Sequence, residues 1–304
     1  MSETSAQRYA KAKAAHLAAI KAATRWRLWM ALCAVPGLVI GGFVAVSLPV
    51  VGLLVAVGGA AIGAGIYYAI LSSRAASAAK ADVMTAWAAE HGWTYLEDVP
   101  HPSDVAFCRN RQKPVCEDGF AGPMAARLQG LVFNFTYSTY ETRTRTVSDA
   151  NGTRTETYQE EVKHHHTILR LTLGALGVHR LELAPQGLGG GLLEKLGSAF
   201  TSMRSVDLES AEFNSRFTLR VDDGADDMFV RRVFEPAMIV RCVEGQFPMS
   251  TFQYEDGALA FVWGDPYDVK QLEEIEGRVA SVVPLAEALV SARDRLAPEL
   301  APRP

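Results

Sequence analysis

The sequence predicts a membrane-anchored α+β protein, in which an N-terminal two-helix transmembrane hairpin precedes a cytosolic mixed α+β domain with a long antiparallel β-hairpin. Two observations lead to this prediction. The stretch 28–73 contains no Asp, Glu, Lys, Arg or His, and it is long enough for two spans of roughly 20 apolar residues each. Farther along, two segments with alternating apolar and polar residues flank Asn151-Gly152, a dipeptide typical of two-residue β-hairpin turns.

The chain falls into five predicted segments. Residues 1–27 form a basic cytoplasmic leader helix, residues 28–73 the transmembrane hairpin, and residues 74–92 a stalk helix. Residues 93–267 form the soluble α+β domain, and residues 268–304 a C-terminal helix with a frayed end. About 230 residues follow the hairpin, which is enough to bury a hydrophobic core.

Charge is distributed unevenly along the chain. Residues 1–27 carry six basic groups against one acidic group, whereas the region from Arg74 onward carries 24 basic and 33 acidic groups. Binding to nucleic acid depends on the neutralisation of phosphates by Lys and Arg. The acidic excess of the larger region therefore excludes nucleic acid as a predicted partner.

The leader and the ends of the hairpin predict an orientation. Residues 2–26 are rich in Ala and Lys, which favour helix; this helix could lie on anionic lipid, but a solvated helix is the favoured interpretation. Basic residues flank both outer ends of the hairpin and are absent from its turn at Ser47-Leu48-Pro49. Both termini and the soluble domain are therefore predicted to be cytoplasmic. The sequence thus predicts a multi-pass membrane protein, with the lipid bilayer as a partner.

A cleaved signal peptide is the alternative for the first apolar run. Its apolar core would be longer than usual, and no A-x-A-like cleavage site follows before the second run. Both runs are therefore kept as predicted spans. Neither run contains Asp, Glu, Lys, Arg or His, so no proton or ion path is predicted through them.

Glycine pairs with G-x-x-x-G spacing occur in both predicted spans, Gly37 with Gly41 and Gly59 with Gly63. This spacing permits close approach of helix backbones. Packing of the two spans against each other is the favoured interpretation, and a homo-oligomer through the glycine-rich spans is the alternative.

The four cysteines are Cys33, Cys108, Cys116 and Cys242. Three of them follow the hairpin, an odd number that does not match a secreted disulfide framework. Cys108 and Cys116 also lack the close C-x-x-C spacing of a zinc knuckle. We therefore expect reduced thiols and no metal site at the cysteines.

The soluble domain is predicted to begin with a strand at 93–96, followed by an irregular segment over 100–122. Phe133, Phe135 and Tyr137 then alternate with polar residues, as expected for a half-buried strand. The return strand covers 158–173. Large apolar residues nearly vanish between 141 and 157, so the hairpin tip is expected to project into solvent.

A two-residue turn at Asn151-Gly152 would set the register of this hairpin. Residues whose numbers sum to 303 would then lie opposite each other, and the predicted pairs are Tyr137 with His166, Phe135 with Ile168 and Arg143 with Glu160.

The remaining elements follow in order from local patterns. Strands are predicted at 179–183, 217–221, 249–254 and 258–263, and helices at 225–234 and 236–244. Asp222-Asp223 can cap the first of these helices. The last helix carries Leu272, Ile275, Val279 and Val282 on one stripe, and Pro284 is expected to kink or divide it.

Two motifs suggest chemistry without defining it. His164 and His166 share one strand face and His165 takes the other; an H-x-H pair can contribute to a metal site, but no motif supplies a third ligand. Gly187 to Gly191 precede a predicted helix whose start could hold a phosphate. For the first motif, histidines on the sheet surface are the favoured interpretation. In the second motif neither established nucleotide-binding glycine pattern is met, so a flexible connector is favoured there.

A family resemblance rests on one segment. The run Val206-Asp207-Leu208-Glu209-Ser210-Ala211-Glu212-Phe213-Asn214-Ser215-Arg216-Phe217, with Asp222-Asp223 and Phe234-Glu235-Pro236-Ala237-Met238, resembles the bacterial domain-of-unknown-function family 3137. The family's membrane-hairpin members also carry a Gly-Trp strand like Gly92-Trp93. The resemblance implies a multi-pass protein of the bacterial inner membrane with a cytosolic domain, and it implies no established activity or functional residues. Glu209, Glu212 and Asn214 could form a polar site, but capping and turn roles are favoured.

Three functions remain open. The favoured hypothesis is a non-enzymatic binding or scaffolding module with an unknown protein partner, since no nucleophile elbow, Walker motif, H-E-x-x-H or cysteine pair occurs. The alternatives are a membrane-tethered metal-dependent hydrolase using His164 and His166, and a structural membrane protein that assembles through its glycine-rich spans. The sequence identifies no catalytic, cofactor-binding or metal-binding residue, and no cofactor is predicted.

Overall fold

The computed structural model divides the chain into two compact units, one of residues 1–87 with 268–272 and one of residues 88–267 with 273–304. The residues that the structure describes are 3–23, 35, 39, 49–125, 127–149, 152–176, 178–186, 203–245 and 251–300.

The first unit contains helix α1 (Ser5–Ala23) and most of helix α2 (Pro49–Glu90). The helix predicted in the leader is present. Its start carries a reciprocal cap in which the backbone N–H of Gln7 donates to Thr4 Oγ1 at 3.4 Å and the N–H of Thr4 donates to Gln7 Oε1 at 3.1 Å. His16 Nε2 lies 2.6 Å from Asp82 Oδ2, and Lys21 lies over the ring of Tyr68, so α1 packs along α2.

The stretch from 49 to 73 is only the first part of α2, which continues through Arg74, Lys80 and Asp82 before it ends at Glu90. Many of the residues in this stretch are Gly, Ala or Ser, which bury little apolar surface each. Within the described ranges, no helix combines the length and the apolar character needed to cross a membrane. This finding contradicts the predicted transmembrane hairpin and, with it, the multi-pass inner-membrane localisation. The first predicted span lies outside the described residues, apart from Val35 and Val39.

The fold of the second unit is a nine-stranded antiparallel sheet with helices, rather than the predicted mixed α+β domain. The strands are β1 (Thr94–Asp98), β2 (Gln112–Ala125), β3 (Leu128–Asp149), β4 (Gly152–Thr172), β5 (Arg180–Pro185), β6 (Met203–Ser205), β7 (Phe217–Asp222), β8 (Thr251–Glu255) and β9 (Ala258–Trp263). Their order across the sheet is β1-β2-β3-β4-β9-β8-β5-β7-β6, and all neighbours pair antiparallel.

The helices of this unit lie between strands in the sequence, except the last, which follows β9. They are α3 (Ala211–Arg216), α4 (Asp227–Val233), α5 (Pro236–Val243) and α6 (Leu272–Leu300), with a short 3-10 helix at Ala106–Cys108. α6 continues past Pro284 to Leu300, so the predicted division at that proline is wrong. The predicted stripe is correct, because Ile275, Val279 and Val282 are all buried.

The long antiparallel hairpin is present as β3 and β4, but its register differs from the prediction by two residues. Tyr137 lies opposite His164, Phe135 opposite His166 and Arg143 opposite Tyr158, so the three predicted pairs are wrong. The reason lies at the turn, since Gly152 is a strand residue that pairs with Asp149. A shift of two residues leaves every side chain on its predicted face, because strand side chains alternate with a period of two.

Beyond the sheet, the hairpin continues as a two-stranded ribbon. The last pair of β2 with β3 is Gln112–Ser138, and the last pair of β4 with β9 is Thr167–Trp263. On one ribbon face, Arg143 Nε lies 2.7 Å from Glu160 Oε2, diagonally across the strands. The opposite face carries exposed threonines, namely Thr142, Thr144, Thr146, Thr155 and Thr157.

The core beneath one face of the sheet centres on Phe133, Phe135 and Tyr137, with Phe107 of the 3-10 helix packed against them.

The strand β2 (Gln112–Ala125) overlaps the segment 100–122, which was predicted to be irregular. Register shifts interrupt the pairing of β2 with β3, and these bulges break the alternation by which a strand is recognised.

Buried polar contacts hold the 3-10 segment on the sheet. The N–H of Phe107 donates to Gln253 Oε1 at 3.0 Å, and Arg109 binds the carboxylate of Glu255, which is also 2.7 Å from Arg180 Nη2. Glu182 lies beside Gln253, and burial raises the pKa of the Glu182 carboxyl. Such buried groups cost free energy unless they are partnered.

The connection between β9 and α6 is fixed to the sheet by Asn134. Its Nδ2 donates to the carbonyl of Tyr267 at 3.0 Å, and its Oδ1 accepts from the N–H of Tyr267 at 3.1 Å. The Tyr267 hydroxyl in turn donates to the carbonyl of Asp118 in β2. Burial raises the pKa of the Tyr267 phenol well above its ordinary value.

Truncation of the hairpin at its base is expected to destabilise the fold far more than truncation in the ribbon. Phe135 is fully buried, so Phe135→Ala is expected to lower the free energy of unfolding by about 3–5 kcal/mol. Arg143 makes an exposed ion pair, so Arg143→Ala is expected to stay within about 0.5 kcal/mol. Urea titration of the full chain measures both, and equal small effects would contradict the burial of Phe135.

Candidate functional site

The segment that carries the family resemblance folds as α3 and the turn before it, and short-range contacts explain its shape. Ser210 caps α3 by accepting from the N–H of Phe213 at 3.2 Å. Asn214 Nδ2 donates to the carbonyl of Leu208 at 2.7 Å, and its Oδ1 accepts from the N–H of Leu208 at 3.0 Å. The amide of Asn214 therefore fixes the turn against the helix, which confirms the turn role favoured for this residue.

The two glutamates of this segment do not converge with Asn214 on one polar site. Glu212 binds Arg216 one turn later on α3, with 2.7 Å between Oε1 and Nη2. Glu209 lies 3.4 Å from Arg231 of α4. Both glutamates are exposed, and each pairs with an arginine instead of capping a helix.

Helices α4 and α5 lie close to α3 along the chain and in space. Asp226 caps α4 by accepting from the N–H of Met228 at 2.8 Å, a role that the sequence had assigned to Asp222-Asp223. Pro236 occupies the first turn of α5, as predicted. Asp226 therefore begins α4 and Pro236 begins α5, three residues after α4 ends at Val233.

Aromatic rings anchor this helical layer to the sheet. The ring of Phe213 lies 5.9 Å from that of Phe234, and Phe234 stacks on Phe252 of β8 at 6.5 Å. All three side chains are buried. These ring contacts attach α3 and the end of α4 to the sheet.

A groove runs between the turn before α3, the end of α4 and the outer side of α5. It consists of two adjoining cavities of about 340 Å³ and 440 Å³ that share Ser210, Ile239 and Val240. Its apolar lining is formed by Leu208, Phe234, Pro236, Ile239, Val240 and Val243. Val240 is 50 % exposed, so the groove opens to solvent along α5.

Charged groups stand at both ends of the groove. Glu209 and Arg231 lie at one end, and Glu212, Arg216 and Glu244 at the other. Each arginine binds a glutamate, so the lining carries one net negative charge. The arrangement offers an apolar floor with a mildly acidic rim.

The sequence predicted α5 but not the groove. Met238 and Cys242 are buried on the inner side of this helix, while Ile239, Val240 and Val243 are apolar residues that remain partly or fully exposed. A short helix that is apolar almost all round has more apolar surface than one buried face requires. This excess of apolar residues on α5 was the sequence signal that could have indicated the groove.

The candidate histidines lie elsewhere, at the base of the ribbon. His164 and His166 share one face, as predicted, and both stack on Tyr137, with ring centres 4.9 Å and 5.7 Å away. Phe107 covers His166 from another side at 4.9 Å, and the guanidinium of Arg111 lies 4.6 Å from the Tyr137 ring. Burial lowers the pKa of His166 to about 4, and the charges of His164 and Arg111 act in the same direction.

The histidine cluster does not form a metal centre in the part of the chain that the structure describes. No group of three His, Cys, Asp or Glu residues there could hold a metal ion. His164 Nε2 lies 2.8 Å from Thr139 Oγ1, and His165 Nδ1 on the opposite face lies 3.0 Å from Thr136 Oγ1. These contacts are ordinary cross-strand hydrogen bonds.

Two further groups of candidates give no site. Gly187 to Gly191 lie outside the described residues, as does Cys33. Cys108, Cys116 and Cys242 are buried reduced thiols. Burial raises the pKa of Cys116 to about 11 and that of Cys242 to about 12, which makes both poor nucleophiles.

Comparison with known proteins gives one structural likeness. No protein-family model and no curated protein sequence matches the chain. The crystal structure of the mycobacterial trehalose monomycolate transport factor A, TtfA, aligns with a TM-score of 0.41 and 13 % sequence identity, over 68 % of this chain and 93 % of that chain. A likeness at this level carries no functional argument, and the resemblance to family 3137 stays a prediction.

The burial of His166 predicts a loss of stability in mild acid. An unfolded histidine titrates near pH 6.5, whereas folded His166 titrates at about 4. Between these values the unfolded chain binds more protons, so stability falls as the pH decreases from 6.5. The loss between pH 7 and pH 5 is expected to reach about 2 kcal/mol.

Urea titration at both pH values measures this loss. His166→Gln is expected to remove most of it, because glutamine does not titrate, while the exposed control His165→Gln is expected to keep it. An unchanged pH dependence in His166→Gln would contradict the assignment.

Proposed function

We propose that this chain acts as a non-enzymatic binding module, and that the groove along α5 receives an amphipathic helical segment of a protein partner. The observation that supports the proposal most directly is the exposure of Val240 beside Ile239, on a helix whose other side is buried through Met238 and Cys242. Helix-in-groove recognition uses apolar side chains at spacings of three, four and seven residues, which enter such a groove.

The shape of the groove favours a polypeptide over a small molecule. Small-molecule sites enclose most of the ligand surface and direct a few polar groups toward it. Here the groove is open along Val240, and the guanidinium groups at its two ends already bind glutamates. The site therefore suits the side chains of a longer segment whose backbone stays outside.

The lining groups also favour binding over catalysis. The hydroxyl of Ser210 accepts the cap hydrogen bond from Phe213, and Glu209 and Glu212 each contact an arginine. A catalytic nucleophile needs an adjacent base within hydrogen-bond reach, and Ser210 has no such arrangement among the groups that line the groove.

The net negative charge of the rim favours apolar partner segments that also carry basic residues. Complementary charge across an interface governs encounter rate and specificity more than affinity. A segment with apolar residues at helical spacing and flanking Lys or Arg side chains would place its charges beside Glu209 and Glu244, which lie at opposite ends of the groove.

A displayed library of random 16-residue peptides tests this proposal with the full chain as bait. Selection is expected to enrich apolar residues at i, i+4 and i+7 with basic residues around them. Val240→Glu is expected to lower the affinity of the selected peptides at least about 10-fold, because it places a charge on the apolar floor.

The matched control is Ala237→Glu, which places the same charge on an exposed position of α5 outside the groove lining. The affinity of this variant for the selected peptides is expected to stay within about 2-fold of that of the unmodified chain. Fluorescence polarisation measures both affinities. Selection without this pattern, or equal binding by the two variants, would reject the groove as the binding site.

A further inference from the structure

The ribbon formed by β3 and β4 has an open outer edge on its β4 side, which is independent of the groove. β9 pairs with β4 only between Thr167 and Thr172. From 154 to 163, no strand other than β3 lies beside β4 in the described part of the chain. An edge strand of this kind presents backbone N–H and C=O groups on which another strand can pair.

The devices that commonly protect an exposed edge are missing from this one. Edge strands are often short, or they carry proline, lysine or a β-bulge. Residues 154–162 contain no Pro, Lys or Gly, and the pairing of β4 with β3 runs without a bulge along the whole ribbon. Charged side chains therefore decide which strand can pair with this edge.

One face of the ribbon carries a positive cluster. Arg145 of β3 and Arg154 of β4 both bind Glu156, each with 2.9 Å between Nη2 and a carboxylate oxygen. Two arginines thus share one glutamate, and the cluster has one net positive charge. The side chain of Arg154 is 64 % exposed, so this charge is available at the β4 edge.

The same face carries a negative cluster nearer the sheet. Glu141 and Glu160 lie directly opposite each other, and Arg143 contacts both carboxylates, at 3.6 Å and 2.7 Å. Like charges that face each other across two strands are destabilising. One arginine here serves two glutamates, and Glu160 brings the negative excess to the β4 edge.

We propose that a second copy of this chain pairs with this edge, β4 against β4, about a two-fold axis at Thr157. Residues whose numbers sum to 314 then lie opposite each other, so Arg154 of each copy faces Glu160 of the other. A two-fold axis makes the two halves of the contact identical. The positive cluster of each ribbon therefore meets the negative cluster of the other, and opposite charges in facing positions stabilise antiparallel strands.

Neighbouring registers oppose like charges or lack space. An axis at Glu156 would place that residue against itself, and an axis at Tyr158 would place Glu156 against Glu160. An axis at Gln159 would bring the end of the second ribbon opposite Thr167, where β9 already pairs. An axis closer to the tip leaves fewer residues paired. The register centred on Thr157 avoids all three problems.

The outer edge of β3 does not offer the same contact. β2 pairs with β3 as far as Gln112–Ser138, so the open part of that edge begins at Thr139. A register that matches Glu141 with Arg143 of a second copy would place the end of the second ribbon beside Ser138 and clash with β2. The β4 edge is therefore the self-complementary edge of the ribbon.

Strand pairing of this kind draws its affinity from main-chain hydrogen bonds rather than from apolar area. The two ribbons together form a four-stranded sheet, whereas an isolated two-stranded ribbon is marginal in water. On the other ribbon face, Thr157 meets its own copy and Thr155 meets Gln159. No like charges are opposed there, and facing threonines favour a cross-strand pair.

Cross-linking at the axis tests the register. Thr157→Cys in the full chain places two cysteines opposite each other, with Cβ atoms about 5 Å apart. Mild oxidation by copper phenanthroline in air is therefore expected to give a covalent dimer, which non-reducing electrophoresis measures. The unmodified chain gives the background from the native cysteines.

The matched control for this experiment is Thr144→Cys. Thr144 lies opposite Thr157 on the same ribbon face, but on β3. In the proposed dimer it is three strand spacings, or roughly 14 Å, from its own copy, so it is expected to stay at the background. Equal cross-linking of the two variants, or none for Thr157→Cys, would overturn the proposal.

Charge reversal tests the ion pairs by a second route, sedimentation velocity of the full chain over a range of concentrations. The unmodified chain is expected to shift from one copy to two. Arg154→Glu and Glu160→Arg are each expected to raise the concentration of half-association at least about tenfold, because like charges then meet twice. An equimolar mixture of these two variants is expected to associate again, since opposite charges face each other between them.

The control for charge reversal is Arg241→Glu, which makes the same change in net charge at an exposed position of α5, outside the sheet. This variant is expected to associate like the unmodified chain, and circular dichroism verifies the fold of all variants. A chain that stays a single copy at every concentration would overturn the proposal. So would a mixture that associates no better than Arg154→Glu or Glu160→Arg alone.

Discussion

The pairing of β3 with β4 is the constraint on which the sheet depends. It runs without interruption from Gln129–Thr172 to Asp149–Gly152, and the rest of the sheet attaches to one strand or the other, β2 to β3 and β9 to β4. Because strand side chains alternate, this pairing decides at once that Phe135 enters the core and that Asn134 faces the β9–α6 connection. The position of α6 is therefore a consequence of the hairpin.

The sequence predicted correctly those parts of the fold in which a local pattern is compatible with only one structure. Alternation at Phe133 and Phe135 identified a strand and its buried face, and the periodic stripe of α6 identified its inner side. The register required knowledge of the turn, and Asn151-Gly152 has strong turn propensity although Gly152 belongs to β4. β2 was missed because its bulges remove the periodic signal. The membrane prediction relied on the absence of charged residues from 28–73. Charged residues can also be absent from a helical segment that is rich in small residues.

The candidate site was less accessible to sequence reasoning for a physical reason. The roles of Ser210 and Asn214 are local, since each contacts backbone within six residues, and they could be anticipated from side-chain type. The groove is not local. Leu208 and Val240 are brought together only because Phe213 and Phe234 pack on one another and the latter stacks on Phe252 of the sheet, and no spacing in the sequence encodes that meeting.

The ribbon beyond Ser138 and Thr167 has a consequence for how the molecule opens. Its strands have each other as partners but no sheet neighbour among the described residues, and isolated two-stranded ribbons are marginal in water. Its backbone amides should therefore exchange with solvent in a graded order, fastest near Asp149 and slowest where β2 and β9 begin to flank the pair. Each opening event starts at the tip and stops at the sheet. The two strands of the ribbon can therefore separate and pair again in the same register, because the pairs at the base of the hairpin stay formed.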